Sequence, residues 1–202
     1  MARRSAPEVN AGSMADIAFL LLIFFLVTTT IETDRGISRK LPPIQDETVK
    51  PPIIKEKNIF TVIVNRQNEL LVEDKPMNIK DLRAAAIKFL DNGGGTGEDA
   101  CSYCHGAKDP ASSDNPQKAV ISLVNDRKTS YKTYISVQNE LVAAYNTLRN
   151  QAAQRMYGKD FTAMEEDYND ANFRGDKDAL KAKIEKIKDM YPEKLSEAEP
   201  KG

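Results

Sequence analysis

Met14-Ala-Asp-Ile-Ala-Phe-Leu-Leu-Leu-Ile-Phe-Phe-Leu-Val27 is the stretch on which the architecture of this chain turns. From Ile17 to Val27 it holds no polar side chain, and it lies inside a longer run, 11–31, in which Asp16 is the single charge. At about 1.5 Å per residue a helix of that length spans roughly 30 Å, the thickness of a bilayer hydrocarbon core. A transmembrane helix over 11–31 is therefore expected. A cleaved leader competes with this reading, because Arg3 and Arg4 precede the apolar run. Acidic Glu8 and Asp16, the Thr28-Thr29-Thr30 ending in place of a small-residue cleavage site, and the lack of a following lipoprotein cysteine all weigh against it.

Asp16 carries the chemistry of this helix. A carboxylate about one and a half turns inside a membrane-spanning segment costs a few kcal/mol, so it needs a compensating partner or task. At about 100° per residue, Leu20, Ile23, Val27 and Thr30 lie within about 40° of Asp16. Its face is thus apolar for most of the bilayer, with Thr30 a candidate polar pore-lining residue at the far end. No basic residue shares the run to pair with it. Burial disfavours the ionised form of a carboxyl, so Asp16 is expected to meet polar groups of another chain or to take up protons. One helix makes no proton path, and a multi-span partner is implied. The simpler alternative is that Asp16 sits at the interface and reaches toward lipid head groups.

Outside this segment the chain is charged and near neutral, with 29 basic and 30 acidic residues, which gives no basic excess for a nucleic-acid partner. Residues 1–10 are read as a cytoplasmic N-terminus and the bulk as periplasmic, since a pair of cysteines suits an oxidising compartment and long domains cross membranes largely regardless of charge. Residues 32–57, with Pro42, Pro43, Pro51 and Pro52, read as an extended linker. Then β-branched Ile59-Phe-Thr-Val-Ile-Val64 and Glu69-Leu-Leu-Val-Glu73 suggest a hairpin across Asn65-Arg-Gln-Asn68. Helical spacing predicts a helix from Ile79 to Leu90 and another from Tyr134 to Tyr157, with Ala119-Val-Ile-Ser-Leu-Val124 as a strand between them. The order implies a small α+β domain over 58–157, two helices on one face of a sheet. A polar insertion, 91–117, interrupts it, and a charged helical C-terminal extension, 158–202, follows, with a helix near 176–191.

The Asp-bearing apolar block, the Leu41-Pro42 linker and the small α+β domain together resemble the ExbD/TolR family of biopolymer transport proteins, over about residues 5–150. The resemblance implies a single-pass inner-membrane subunit in which Asp16 stands at the essential aspartate. It implies a homodimer of this helix within an ExbB-like or TolQ-like multi-span pentamer, membrane lipid around it, and a TonB-like periplasmic effector driven by proton flow. The ExbD side is the closer likeness; a TolR-like subunit of the Tol system, or a gliding-type motor of the same ancestry, is the alternative. Members normally close their domain with a strand after the second helix, and none is legible in 151–173.

Cys101-Ser-Tyr-Cys-His105 is the remaining motif. A disulfide between Cys101 and Cys104 pinning the insertion is expected. Attachment of c-type haem through Cys101, Cys104 and His105 competes with it, but the polar, glycine-rich flanks offer no apolar pocket. Zinc lacks a fourth ligand in the motif, and no metal or other cofactor is expected. With one histidine, no P-loop and no nucleophile elbow, no enzyme constellation is legible. A tethered periplasmic binding module, in which the helix only anchors the chain, is the reading from another class.

Overall fold

In the computed structural model, the described residues are 11–28 and 54–198. They belong to two units, Met1–Lys50 and Pro51–Gly202. The first contains the helix α1, Ala11–Thr28, of 18 residues, a length of about 27 Å at the helical rise. Ile17, Phe19, Leu20, Leu22, Phe24 and Phe25 are all exposed along it. Among the described residues no helix is long and apolar enough to cross a membrane. Residues 29–31 of the expected 21-residue span, Thr30 among them, lie outside the described residues, as does nearly all of the linker read over 32–57.

The second unit is a mixed sheet with helices. Its elements are β1 (Ile59–Val64), β2 (Leu70–Val72), β3 (Lys75–Met77), α2 (Ile79–Leu90), β4 (Val120–Asn125), α3 (Tyr131–Tyr157), α4 (Phe161–Asn169), α5 (Lys177–Met190) and β5 (Leu195–Ala198). The strand order is β3-β2-β1-β4-β5. β1 runs antiparallel to β2 and parallel to β4, and β5 is parallel to β4.

Alternation along the strands decides which face is covered. Phe60, Val62 and Val64 of β1 are buried, and the register sets Ile121 beside Phe60, Leu123 and Val72 beside Val62, and Leu70 beside Val64. Onto this face come Leu82, Ala86, Phe89 and Leu90 of α2 and Val137, Leu141, Ala144 and Leu148 of α3, in one core. The Phe60 and Phe89 rings stand 5.0 Å apart. Asn78 caps α2 by accepting from the Lys80 amide, and Ser130 caps α3 by accepting from that of Thr133. Gly158, at φ +67°, ends α3 in the left-handed conformation that glycine adopts without strain.

Three expectations are corrected here. A third strand, β3, follows the hairpin through a turn in which Glu73 and Asp74 both have positive φ; Pro76 is tolerated because β3 is an edge strand. The closing strand exists, but it is β5. Residues 151–173 are instead helical across the end of α3 and α4. Within the expected C-terminal extension, 158–202, the described residues 158–198 are therefore no appendage, since Phe161, Met164, Ile184, Ile187 and Tyr191 are buried in the same core as the strands.

Candidate functional site

Asp16 lies in the first half of α1, exposed, with exposed Met14 and Ile17 beside it. It is the only ionisable side chain among the 18 residues of the helix. The apolar side chains around α1 are not segregated to one stripe, and a helix that is hydrophobic on all sides calls for surroundings that are themselves apolar. Leu20 and Ile23, which share the Asp16 face, are described and exposed; Thr30 is outside the described residues.

In the second unit the insertion 91–117 is far more ordered in its bonding than its composition suggests. Asp91, Asn92, Ser113, Asp114 and Asn115 are buried. Asn92 donates to the carbonyls of Asp109 and Ser113 at 2.9 and 2.8 Å and accepts from the Asp109 amide at 3.0 Å. Ser113 donates to the carbonyl of Phe89, at the end of α2. Among the described residues no buried side-chain nitrogen or oxygen lacks a partner, which is what allows a polar loop to be buried at all.

One half of this network faces the start of the domain. Asn58 donates to Asp114 Oδ2 at 3.0 Å and accepts from the Asp114 amide at 2.8 Å. Lys57 pairs with Asp114 at 2.5 Å and Lys55 at 3.4 Å. Burial pushes the Asp114 carboxyl up, but the hydrogen bonds of Lys57 and Asn58 and the charges of Lys57 and Lys55 outweigh it and hold the group at about 2, below its ordinary 3.8. A carboxyl lowered by folding stabilises the fold above its unfolded value and loses that contribution as pH falls through the folded one. Stability should therefore drop between about pH 4 and pH 2. Asp114→Asn should flatten that segment of the acid-unfolding curve, measured by circular dichroism.

The other half faces the end of α5. Cys101 and Cys104 form a disulfide, with Cα atoms 5.5 Å apart. Their sulfurs are thereby unavailable for thioethers, and the His105 ring stands 3.0 Å from the Arg155 guanidinium. Tyr103 donates to the Met190 carbonyl at 2.8 Å. Tyr191 donates to Asp91 Oδ1 at 2.9 Å, and the His105 amide donates to Asp91 Oδ2 at 3.0 Å. Burial, with the Asp91 charge, pushes both phenols up, so each stays a hydrogen-bond donor. Arg149, also buried, donates from Nε to the Tyr191 carbonyl at 3.0 Å. Tyr191→Phe strips Asp91 of a buried donor and should cost about 1–3 kcal/mol in chemical denaturation.

Asp91, Tyr103, Asp114 and Tyr191 were not singled out by sequence. The available signal was position: Asp91 directly follows α2, and Tyr103 lies between the cysteines. Among the described residues no group of three or more His, Cys, Asp or Glu side chains is placed to hold a metal ion.

The model of the family Biopolymer transport protein ExbD/TolR matches residues 2–152. The chain belongs to the ExbD/TolR family. No curated protein matches it. The match takes in Asp16, the strands β1 to β4 and nearly all of α3, so the resemblance carried by the Asp-bearing block is borne out. The ExbD/TolR match stops before α4, α5 and β5. Those elements, by which this ExbD/TolR domain completes its sheet, lie beyond the matched residues. Membership places the chain in biopolymer transport and energy transduction.

Proposed function

We propose that this chain is an ExbD-like motor subunit of the inner membrane, in which Asp16 takes up and releases the protons that drive transport. The observation that carries the proposal is the family match across 2–152, with Asp16 as the lone charge of an apolar helix inside it. On this reading the apolar segment 11–31 spans the membrane with the N-terminus in the cytoplasm and the sheet domain in the periplasm. Two copies sit within an ExbB-like pentamer. Proton passage at Asp16 biases the packing of the two proteins against each other, and the motion reaches a TonB-like effector through the linker and domain. Thr30 lines the polar end of the same helix face.

The reading is tested by isolating the tagged full-length chain from its native membrane under mild detergent. A stable complex with a multi-span pentamer, two copies of this chain to five of the partner, is expected by native mass spectrometry. A chain recovered from intact membranes only as itself would sink the motor and leave the tethered binding module. A TolR-like role would show as the same complex, bound to envelope-maintenance components in place of an outer-membrane transport effector.

A further inference from the structure

We propose that the Cys101–Cys104 bond is a reducible latch that holds the closing strand β5 on the sheet, with a dithiol as the reactant that opens it. The loop closed by the disulfide contains Ser102 and Tyr103, and Tyr103 is the clamp. Its hydroxyl holds the Met190 carbonyl, and its ring meets that of Tyr191 edge-on, with centroids 5.5 Å apart at 78°. The His105 amide, one residue beyond the disulfide, shares Asp91 with the Tyr191 hydroxyl. All of these contacts converge on Met190 and Tyr191, which residues 192–194 join to β5.

The strand they lead into is held on the sheet by its parallel pairing with β4 and by Glu197, which accepts from Tyr134 and Gln138 of α3. The Tyr103 contacts fix the approach to it. β5 is four residues long, lies at the sheet edge, and its Ser196, Glu197 and Ala198 are exposed. The seat of the disulfide is built to fit: a Cβ on Gly93, itself at φ +67°, would stand 2.7 Å from the Cys104 Cβ. Cys104 is buried and Cys101 half-buried, so Cys101 is the sulfur open to attack.

A thiolate of the dithiol forms a bond to Cys101 Sγ as the Cys101–Cys104 bond breaks, and Cys104 leaves as a thiolate that takes up a proton. The second thiol of the donor attacks the mixed disulfide, frees Cys101 as a thiol and leaves the donor oxidised. Two electrons and two protons pass to the chain. With the ring open, residues 101–104 regain backbone freedom. Tyr103 loses its fixed position, and β5 separates from β4 more readily, uncovering the β4 edge to an incoming strand.

The test is amide hydrogen exchange on the full-length chain in lipid nanodiscs, oxidised and after dithiothreitol, with thiol labelling to read the state of the pair. Reduction should speed exchange in 191–198 about tenfold while leaving β1 unchanged. Cys101→Ser with Cys104→Ser should show the fast rate with or without reductant. Tyr103→Phe keeps the disulfide and should raise exchange in 191–198 on its own. Labelled thiols with unchanged exchange in 191–198 would overturn the latch. A pair that dithiothreitol cannot reduce in the folded chain would overturn it equally.

Discussion

Asp16→Asn is expected to abolish energy-dependent transport while leaving the chain in its membrane complex. Asparagine keeps the shape of the side chain and its hydrogen-bonding reach but cannot exchange a proton, so the substitution separates chemistry from packing. A proton crossing 100 mV releases about 2.3 kcal/mol, enough to bias a two-state arrangement about fifty-fold. Loss of that drive should lower uptake by at least about the same factor. Asp16→Glu restores a titrating group one methylene further out and should recover part of the activity. The measurements are uptake rate and the amount of complex recovered from the same membranes. Uptake that persists at the unsubstituted rate in Asp16→Asn would leave α1 as an anchor only.

A stop after Gly158 should prevent the sheet domain from folding. The excised segment carries Phe161, Met164, Ile184, Ile187 and Tyr191, all at most 5 % exposed. Burial of each contributes about 1.5–3 kcal/mol, together on the order of 10 kcal/mol, against a net stability of about 5–15 kcal/mol for an ordinary domain. The cut also removes β5 from the β4 edge and leaves Arg149 buried without the Tyr191 carbonyl and Glu193 that it now faces at 3.0 and 3.7 Å. Circular dichroism and protease sensitivity of the truncated chain would check this. A truncated chain as resistant as the whole would mean that the residues matched by the family suffice for the fold. A shorter cut, after Glu193, keeps the five buried side chains and should yield a folded domain with a bare β4 edge.

The central strands were legible because alternation and β-branching coincide in Ile59–Val64 and Val120–Val124, and the caps at Asn78 and Ser130 sit where apolar periodicity begins. Asp16 was legible for the opposite reason, as a break in a uniform pattern. β5 was not. Leu195-Ser-Glu-Ala198 has one large apolar residue, and its extended form comes from pairing with β4, about 70 residues earlier in the chain. β3 was hidden by Pro76, which local propensity counts against a strand and an edge position forgives. The insertion looked like an open loop because its Gly, Asp, Ser and Asn content is that of a loop. What buries Asn92 and Asp114 is reciprocal bonding to residues 17 and 56 positions away, and composition carries no record of such pairs.

The fastening of Lys55, Lys57 and Asn58 to Asp114 has a mechanical consequence. A tug arriving along the chain from its N-terminal side meets this clasp before it meets the sheet. Beyond it lies β1, gripped along six consecutive positions by parallel β4 on one side and by β2 on the other. Traction along the axis of β1 must slide all those rungs together instead of opening them one by one, so the domain resists as a rigid handle. Load is then passed on, not absorbed by unravelling.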